Sequence, residues 1–433
     1  MSNLKYIKYP EKDLWESLIQ RPKLKGSNLQ SLCKETFDTI REEGDAALYR
    51  LTQEYDQVEL ETLFLTSTEL KECAKQTNPA LVLAIHQAYA NISAFHKAQI
   101  PDSITVETMP GVICKQIYRP IERIGIYVPG GTAPLVSTVL MLAIPALLAG
   151  CKEIVLCTPP NKSGQIDPAI CYAAQLCGVD TVLKLGGIQA IGAMAVGTPS
   201  IKPVGKIVGP GNQYVTAAKT YAQEWGVAID LPAGPSEVLV ITNESSNPYY
   251  VAADLLSQAE HGIDSQVVLL STNESIIQKV CQVIDELSSG LNRLDIIKQS
   301  LQHARFILLQ SIDDCFEFSN QYAPEHLIIA IDKAGDYVSQ VVNAGSVFLG
   351  HYTPESVGDY ASGTNHTLPT AGYAKNYSGV TIDTFIKKIT VQEVSQKGLQ
   401  LLTPTIEQLA GAEGLEAHAL AATIRNSQKK EIR

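Results

Sequence analysis

The sequence predicts an α/β protein built from two α/β units. Strand-like and helix-like segments alternate twice along the chain, first over residues 124–224 and again over residues 237–349. Strands that alternate with helices imply parallel sheets with helices packed on both faces. The chain has 433 residues, which is also too long for one ordinary domain.

The part of the chain before this alternation is predicted to be mostly helical. Residues 1–23 form a small N-terminal segment. Apolar side chains recur at helical spacing within residues 27–55 and 67–98. Residues 105–118 are richer in β-branched side chains, which favour strands.

The two α/β units are predicted element by element from apolar runs and the turns between them. In the first unit, we expect strands at 124–128, 154–157, 181–184 and 206–208, and helices at 136–148, 168–177, 188–196 and 213–224. In the second unit, we expect strands at 237–242, 266–271, 306–309, 327–331 and 346–349, and helices at 248–261, 274–287 and 337–342. Pro248 suits a first helical turn, and Gly262 suits a helix end. Residues 381–433 are too few for a core of their own, so we expect them to pack elsewhere, such as on a second subunit.

Composition and charge exclude several classes of protein. A formal net charge of −11 argues against non-specific binding to nucleic acid or anionic membranes. The longest apolar run, residues 135–151, contains polar residues and Pro145, so it indicates a buried helix rather than a membrane span. The charged N-terminus does not resemble a signal peptide. Nine cysteines without C-x-x-C pairs indicate reduced thiols in a cytoplasmic protein.

Gln258 and His261 are the first candidate metal ligands. They are three residues apart, so on a helix they share one face near its C-terminal end. That face offers a metal one oxygen and one imidazole nitrogen. Taken alone, the pair better fits a capped surface helix with a solvated or packed histidine.

Four segments in the second half concentrate polar side chains of the kinds that bind metals. They are Gln258 to His261, Pro324 to His326, Ser356 to His366 and Glu413 to His418. A set made of Gln258, His261, Asp359 and His418 would offer oxygen and imidazole donors that suit zinc. Spacing alone cannot identify ligands spread this widely, and scattered surface histidines remain an equal alternative. The H-E-x-x-H motif is absent, which argues against the commonest zinc peptidases.

Glu325 and His326 are a candidate pair for proton transfer. An imidazole with a pKa of about 6.5 accepts protons near neutral pH, and a neighbouring carboxylate can orient or activate water. Taken alone, the two residues better fit a polar pair at a strand entry that is exposed to solvent. The glycine turns at 129–131 and 209–212 each join a strand to a helix, where phosphates often bind, but neither matches G-x-G-x-x-G. Simple connecting turns explain them equally well.

Taken together, the longer motifs resemble the histidinol dehydrogenase family over nearly the whole chain. The motifs that carry the resemblance are Gly125–Gly131, Gly209–Asn212, Ile229–Glu237, Val251–His261, Ala323–His326, Gly358–His366 and Glu413–His418. The resemblance implies a zinc- and NAD-dependent oxidation of L-histidinol to L-histidine through L-histidinal. It also implies two incomplete Rossmann-like domains in an intertwined homodimer.

The resemblance further assigns roles to residues of this chain. The implied zinc ligands are Gln258, His261, Asp359 and His418. The implied histidinol contacts, besides the zinc ligands, are Ser236, His326, His366 and Glu413. The implied NAD contacts are Tyr127, Gln189 and Asn212. His326 would act as general base and Glu325 would activate water, while Glu413 and His418 would complete the partner's site.

The predicted domain boundaries combine the alternation with this resemblance. We expect an N-terminal segment (1–23), a first α/β domain (24–126 plus 237–380) that carries most metal and catalytic residues, a second, NAD-side domain (127–236) and a C-terminal dimerisation segment (381–433).

Three other functions remain open from the sequence. An aldehyde oxidation through a cysteine thiohemiacetal would use Cys114 or Cys151. A zinc hydrolase would use Glu325 as base and would need no NAD. A metal-dependent binding dimer would have no catalytic activity.

Overall fold

A computed structural model of the chain describes residues 4–21, 29–130, 134–232 and 234–426. The strands in this part are β1 (Tyr6–Lys8), β2 (Phe64–Leu65), β3 (Ile104–Met109), β4 (Val112–Pro120), β5 (Arg123–Tyr127), β6 (Glu153–Cys157), β7 (Thr181–Leu183), β8 (Lys206–Val208), β9 (Ala228–Ile229), β10 (Glu237–Thr242), β11 (Gln266–Ser271), β12 (Arg305–Leu308), β13 (His326–Ile329), β14 (Ser346–Leu349) and β15 (Ile386–Val394).

The α-helices in the same part are α1 (Lys12–Leu18), α2 (Leu29–Glu43), α3 (Asp45–Tyr55), α4 (Ser67–Ala74), α5 (Pro79–Lys97), α6 (Val136–Ala149), α7 (Pro168–Leu176), α8 (Gly187–Val196), α9 (Gln213–Ala222), α10 (Pro248–Ala259), α11 (Glu274–Ser288), α12 (Leu294–Ser300), α13 (Ile312–Tyr322), α14 (Glu355–Tyr360), α15 (Gln396–Ala412) and α16 (Glu416–Asn426). Short 3-10 helices cover Gln223–Trp225, Leu301–His303, Ala334–Gln340, Tyr373–Lys375 and Ile382–Phe385.

Two six-stranded sheets form the framework that positions the site. Sheet 1 has the strand order β1-β12-β11-β10-β13-β14, and all its strands are parallel. Sheet 2 has the order β2-β7-β6-β5-β8-β9, in which only the short β2 runs antiparallel. In both sheets the chain winds first to one side and then to the other, so each has a switch point, between β10 and β13 and between β5 and β8. The predicted α/β class with parallel sheets is confirmed.

The core lies between these sheets and the helices on their faces. Every residue of β10 and β11 is buried, as expected for central strands covered on both faces. Helix α6 is buried from Thr138 to Ala146, which confirms that the longest apolar run is a core helix. Pro145 lies inside this helix without ending it.

The chain divides into two compact units. Unit 1 contains residues 1–99 and 121–385, and unit 2 contains residues 100–120 and 386–433. Unit 2 pairs β15, β4 and β3 in an antiparallel sheet and packs α15 against α16. The four domain boundaries expected from the sequence stay a prediction.

Several elements differ from the sequence prediction in their extent. The helix expected at 27–55 is two helices, because Gly44 between them has a φ of +62° that breaks the helical backbone. Residues 27 and 28 lie outside the described residues. The helix expected at 67–98 is also two, since Asn78 caps a new helix that starts at Pro79. The helix expected at 337–342 is instead the 3-10 helix Ala334–Gln340, which ends before Val341 and Val342.

The N-terminal segment is joined to sheet 1 by strand pairing and packing. Strand β1 pairs in parallel with β12 at the edge of sheet 1. The indole of Trp15 in α1 is buried and packs edge-on against Phe318, with ring centroids 5.4 Å apart. The aromatic contact therefore anchors the segment that leads to Arg21.

Two further findings concern the membrane and the thiols. Among the described residues, no helix is both long enough and apolar enough to span a bilayer. All nine cysteines are free thiols.

Candidate active site

A cavity of about 340 Å³, here called the central cavity, lies between opposite edges of the two sheets. Sheet 2 contributes the turns after β5 and β8, at its carboxyl edge and its switch point, where ligands of such sheets bind. Sheet 1 contributes its amino edge, through Ser236 before β10 and His326 at the start of β13. The side chains of most chemical interest in its lining are Ser236, His261, Arg293, Glu325, His326, Asp359 and His366.

Glu325 and His326 are held by the backbone of Glu237 on the neighbouring strand. The N–H of Glu237 donates to Glu325 Oε2 at 2.8 Å. The Nδ1 of His326 lies 3.1 Å from the carbonyl oxygen of Glu237. Gly345 lets the chain pass close to Glu325, because a Cβ there would lie 2.6 Å from its carbonyl oxygen. These contacts fix both side chains to the framework of sheet 1.

This arrangement decides which nitrogen of His326 does chemistry. A backbone carbonyl can only accept, so Nδ1 must carry the proton in the bond to Glu237. The other nitrogen, Nε2, is buried without a hydrogen-bond partner among the described residues and lies 3.5 Å from Asp359 Oδ1. In the neutral imidazole, Nε2 is therefore the atom that accepts a proton.

Buried charges shift the pKa values of this pair. Burial raises the pKa of Glu325 to about 8, although the positive charge of His326 opposes the shift. Burial by itself lowers the pKa of His326, but the negative charges of Glu355, Glu325 and Asp359 outweigh it and raise that pKa well above its usual value. Glu325 is consequently poised to exchange protons near neutral pH.

Helix α10 presents the predicted pair of Gln258 and His261. Gln258 Nε2 and His261 Nδ1 lie 2.9 Å apart, so the two side chains do share one face. The pair sits where the helix ends, since α10 stops at Ala259. Gln258 is fully buried, and its Oε1 has no hydrogen-bond partner in the described part of the chain. A buried acceptor of this kind, with no partner in the described part of the chain, suits a metal ligand.

The short helix α14 places two carboxyl groups beside His326. Glu355 and Asp359 are four residues apart and therefore lie on one face. Glu355 is buried, its Oε1 lies 3.8 Å from His326 Nδ1, and neither carboxyl oxygen has a hydrogen-bond partner among the described residues. Gly358 permits this close packing, because a Cβ there would lie 2.8 Å from the ring of Phe348.

The donor set around the central cavity fits a divalent cation. One group of carboxylate and imidazole atoms comes from His326, Glu355 and Asp359, whose potential ligand atoms lie within 4.8 Å of one another. It shares only Asp359 with the predicted ligand set. The amide oxygen of Gln258 is also a potential ligand, and Gln258 contacts His261, which lines the central cavity. Oxygen and imidazole donors without thiolate suit zinc and its divalent substitutes.

A second cavity of about 690 Å³, here called the outer cavity, adjoins the central cavity along the carboxyl edge of sheet 2. Pro129, Gly130 and Asn212 line both cavities. The hydroxyl of Tyr127 accepts from the N–H of Gly187 at 3.1 Å, and both residues line the outer cavity. The size and position suit an extended ligand that reaches from one cavity into the other.

The turn after β8 is held by a buried ion pair. Lys219 pairs with Asp230 and donates to the carbonyl of Gly209 at 2.7 Å. Asp230 Oδ2 in turn accepts from the N–H of Gly209 at 2.7 Å. Gly209 has a φ of +130°, and a Cβ there would lie 2.2 Å from the carbonyl oxygen of Tyr127. Only glycine fits at this position, because both the conformation and the space exclude a side chain.

Comparisons with known proteins give the family of this chain. The profile of the histidinol dehydrogenase family matches residues 19–426. The chain belongs to the histidinol dehydrogenase family. The histidinol dehydrogenase of Bacteroides fragilis (strain YCH46) is 51% identical over 422 residues, covering 98% of this chain and 99% of that protein. The histidinol dehydrogenase of Vibrio parahaemolyticus is 48% identical over 413 residues, covering 95% of each.

A solved structure agrees with the sequence comparisons. The crystal structure of histidinol dehydrogenase from Elizabethkingia anophelis superposes with a TM-score of 0.95 at 53% identity, and the match covers 97% of both chains. The family and the enzyme class predicted from the motifs, an NAD-dependent oxidoreductase of histidine biosynthesis, are therefore confirmed. The roles of individual residues stay predictions.

The structure brings many of the predicted site residues of this histidinol dehydrogenase family member together. Ser236, His261, Glu325, His326, Asp359 and His366 line the central cavity, and Gln258 contacts His261. Tyr127 lines the outer cavity, and Asn212 lines both. Asn212 also caps α9, since its Oδ1 accepts from the N–H groups of Tyr214 and Val215.

Three predicted residues are placed differently. Gln189 is buried behind the outer cavity, where its Nε2 donates to Asp56 Oδ2 at 3.1 Å. Glu413 and His418 are exposed and belong to unit 2.

Sequence reasoning missed four residues near the site. Glu355 could have been predicted from the sequence. Had a helix been predicted at this position, the i, i+4 spacing from Asp359 would have placed Glu355 on the same face. Arg293 in the central cavity, Asp56 in the outer cavity and Arg21 behind Glu237 come from distant segments without a motif.

The cysteine alternative finds no support in the geometry. No cysteine is among the described residues that line the central cavity. Burial raises the pKa of Cys151 to about 11, which disfavours the thiolate, and Cys114 belongs to unit 2.

Proposed function

We propose that this protein oxidises L-histidinol to L-histidine through L-histidinal, and that two NAD molecules each accept one hydride. The observation that supports the proposal most strongly is the fixed orientation of His326, whose Nε2 is the buried, unpaired nitrogen of a histidine that lines the central cavity. A base held in this way, beside a cavity at the carboxyl edge of sheet 2, suits removal of a hydroxyl proton during hydride transfer.

The first oxidation would use His326 as base. Its Nε2 accepts the hydroxyl proton of histidinol, while the hydride on the same carbon leaves for the nicotinamide ring of NAD. The bond from Nδ1 to the carbonyl of Glu237 keeps the ring in the required tautomer. The products of this step are histidinal, NADH and a protonated His326, which must release its proton before it acts again.

The second oxidation would add Glu325 to the chemistry. Its carboxylate accepts a proton from water as the water oxygen bonds to the aldehyde carbon, and the protonated Nε2 of His326 donates its proton to the former aldehyde oxygen, giving the gem-diol and a neutral His326. Burial raises the pKa of Glu325 to about 8, close to the value that suits a base at neutral pH. His326 then accepts a hydroxyl proton of the gem-diol while the second hydride leaves, which yields the carboxylic acid of histidine.

We infer that zinc is held by Gln258, His261 and Asp359, with His418 of a second subunit as a further ligand. The unpaired Oε1 of Gln258 and the contact between Gln258 and His261 support this set. When bound, the metal would hold the amine and imidazole nitrogens of histidinol, and its positive charge would lower the pKa of His326. Replacement of Asp359 by Asn should reduce the zinc content of the purified protein.

The shared site requires a homodimer, which we propose on the basis of unit 2. Leu409, Leu420 and Ile424 on its helices are each more than half exposed, an apolar surface that a second copy would cover. The free thiols of the nine cysteines support a cytoplasmic location.

Histidinol-dependent NADH formation tests the proposed activity. The variant His326→Asn should keep its zinc content and lose about 10²- to 10⁴-fold in kcat, the usual contribution of a general base. His351→Asn is the matched control, because His351 pairs with Asp332 and is absent from the lining of the central cavity in the described residues. Undiminished turnover by His326→Asn would refute the role of His326, and a wild-type protein without NADH formation would refute the function.

Mixed dimers test whether His418 acts in the partner's site. His326→Asn and His418→Asn should each be inactive alone. In a heterodimer of the two variants, one of the two sites combines an intact His326 with an intact His418. About half of the dimers refolded from an equal mixture are heterodimers, so about a quarter of wild-type activity should return. No recovery, with heterodimers demonstrated by mass, would place His418 in the site of its own subunit.

A further inference from the structure

The outer cavity lacks an acidic residue where the fold usually places one. In doubly wound sheets that bind dinucleotides, an Asp or Glu near the end of the second strand accepts hydrogen bonds from the adenosine ribose. Here the second strand of the winding is β6, which ends at Cys157 and is followed by Thr158, Pro159 and Pro160. Thr158, Pro159 and Pro160 line the cavity, but none of them carries a carboxylate.

Asp56 supplies a carboxylate at the same place from another part of the chain. It caps the C-terminal end of α3 and lines the outer cavity together with Pro159. Both lie against Gly186, because a Cβ on that glycine would lie 2.7 Å from Pro159 Cβ and 3.2 Å from Asp56 Oδ1. The carboxylate of Asp56 is therefore adjacent to the carboxyl end of β6.

The carboxylate of Asp56 is fixed by a buried amide. Gln189 Nε2 donates to Asp56 Oδ2 at 3.1 Å, and the Gln189 side chain is almost fully buried. The bond engages Oδ2 of the carboxylate, and among the described residues no donor engages Oδ1, which can therefore accept from a ligand. Gln189, a predicted NAD contact, would therefore act on the nucleotide through Asp56.

One cation faces the same region and is engaged elsewhere. Lys162 lines the outer cavity, and its ammonium donates to the backbone carbonyl of Asp56 at 3.2 Å and to Gln57 Oε1 at 3.0 Å. Those two bonds direct the ammonium toward the protein. The fixed carboxylate and the engaged ammonium together favour a neutral diol over a phosphate at this position.

We propose that Asp56 accepts hydrogen bonds from the hydroxyls of the adenosine ribose of NAD and repels the 2′-phosphate of NADP. Asp56 is thus the residue that selects NAD over NADP. This inference rests on the proposed use of NAD by this site, and it assigns the adenosine half of the dinucleotide to the outer cavity.

Calorimetric measurement of binding to the zinc-loaded full-length protein tests the proposal without catalysis. The three ligands are NAD, NADP and 2′-deoxy-NAD, the NAD analogue whose adenosine ribose lacks the 2′-hydroxyl. The wild-type protein should bind 2′-deoxy-NAD about tenfold or more weakly than NAD, the usual effect of losing a hydrogen bond to a charged group. The variant Asp56→Asn keeps an oxygen for Gln189 but removes the charge. It should bind NAD about tenfold more weakly, discriminate little between NAD and 2′-deoxy-NAD, and show a smaller preference for NAD over NADP.

Glu59→Gln is the matched control, because it removes one exposed carboxylate three residues away and should leave all three affinities unchanged. Equal wild-type affinity for NAD and 2′-deoxy-NAD would overturn the proposal, whether or not the variant folds. An unchanged ratio of NAD to NADP affinity in folded Asp56→Asn would overturn it as well. If the wild-type protein forms NADH from histidinol in either case, the proposed function stands and only the role of Asp56 falls.

Discussion

Replacement of Arg21 by Met should weaken the fold and slow the reaction together. The guanidinium of Arg21 makes two bonds of 2.9 Å to the carboxylate of Glu237 and stacks 3.7 Å from the ring centre of Tyr322. Glu237 is 1% exposed, so loss of Arg21 leaves a buried carboxylate whose remaining hydrogen-bond donor among the described residues is the N–H of Ala371. Removing one partner of a buried ion pair typically costs about 3–5 kcal/mol.

The same change should reach the catalytic pair through the backbone. The N–H and carbonyl of Glu237 hold Glu325 and His326, so a shift of Glu237 displaces both. Because misplaced catalytic groups slow the chemical step, we expect kcat to fall about 10-fold or more. The KM for NAD should change little. Arg21 acts as a positioning residue, because it binds Glu237 and is absent from the described linings of the central and outer cavities.

Urea unfolding followed by the fluorescence of Trp15 measures the effect on stability, because this buried indole lies on the segment that leads to Arg21. The double variant Arg21→Met with Glu237→Gln removes both charges and should recover most of the lost stability. Arg50→Met is the control, since the Arg50–Glu43 pair is about half exposed and should matter little. Wild-type stability in Arg21→Met, or no recovery in the double variant, would refute the reasoning.

Two further changes test other parts of the structure. Burial raises the pKa of Asp254 to about 7, whereas the pKa of this carboxyl in the unfolded chain is about 4. The buried carboxyl therefore destabilises the fold increasingly as pH rises from about 4 to about 7. Asp254→Asn should therefore raise stability by up to ~4 kcal/mol at pH 8 and by much less at pH 5, as measured by thermal unfolding; equal gains at both pH values would contradict the assignment. Gly209→Ala places a methyl group against the carbonyl of Tyr127, and we expect at least tenfold weaker NAD binding by calorimetry. Gly226→Ala is its control, because Gly226 also has a positive φ but open space around it, and equal losses in both variants would exclude the steric explanation.

The sequence predicted the two α/β units because buried strands and amphipathic helices leave clear patterns in apolar spacing. It also placed Gln258 and His261 on one face, since three residues along a helix span nearly one turn. The sequence also showed the glycine turn that contains Gly209. It did not show why this residue must be glycine, because the close approach to Tyr127 involves a distant strand.

The contacts that orient the site could not be predicted in this way. Arg21 and Glu237 are 216 residues apart, and Asp56 and Gln189 are 133 apart, so neither pair has a spacing that a local pattern reveals. Helix α14 has six residues, too few for a periodic signal, and this hid Glu355. The central cavity is formed by the carboxyl edge of sheet 2 and the amino edge of sheet 1. This combination depends on how the two sheets pack, which local sequence patterns do not reveal.

The stoichiometry of NADH formation tests the central claim most directly. With histidinol limiting and NAD in excess, the account predicts two NADH for each histidinol consumed and histidine as the only organic product. One NADH per histidinol with accumulating histidinal, or loss of histidinol without NADH, would contradict an oxidation in two steps at this one site.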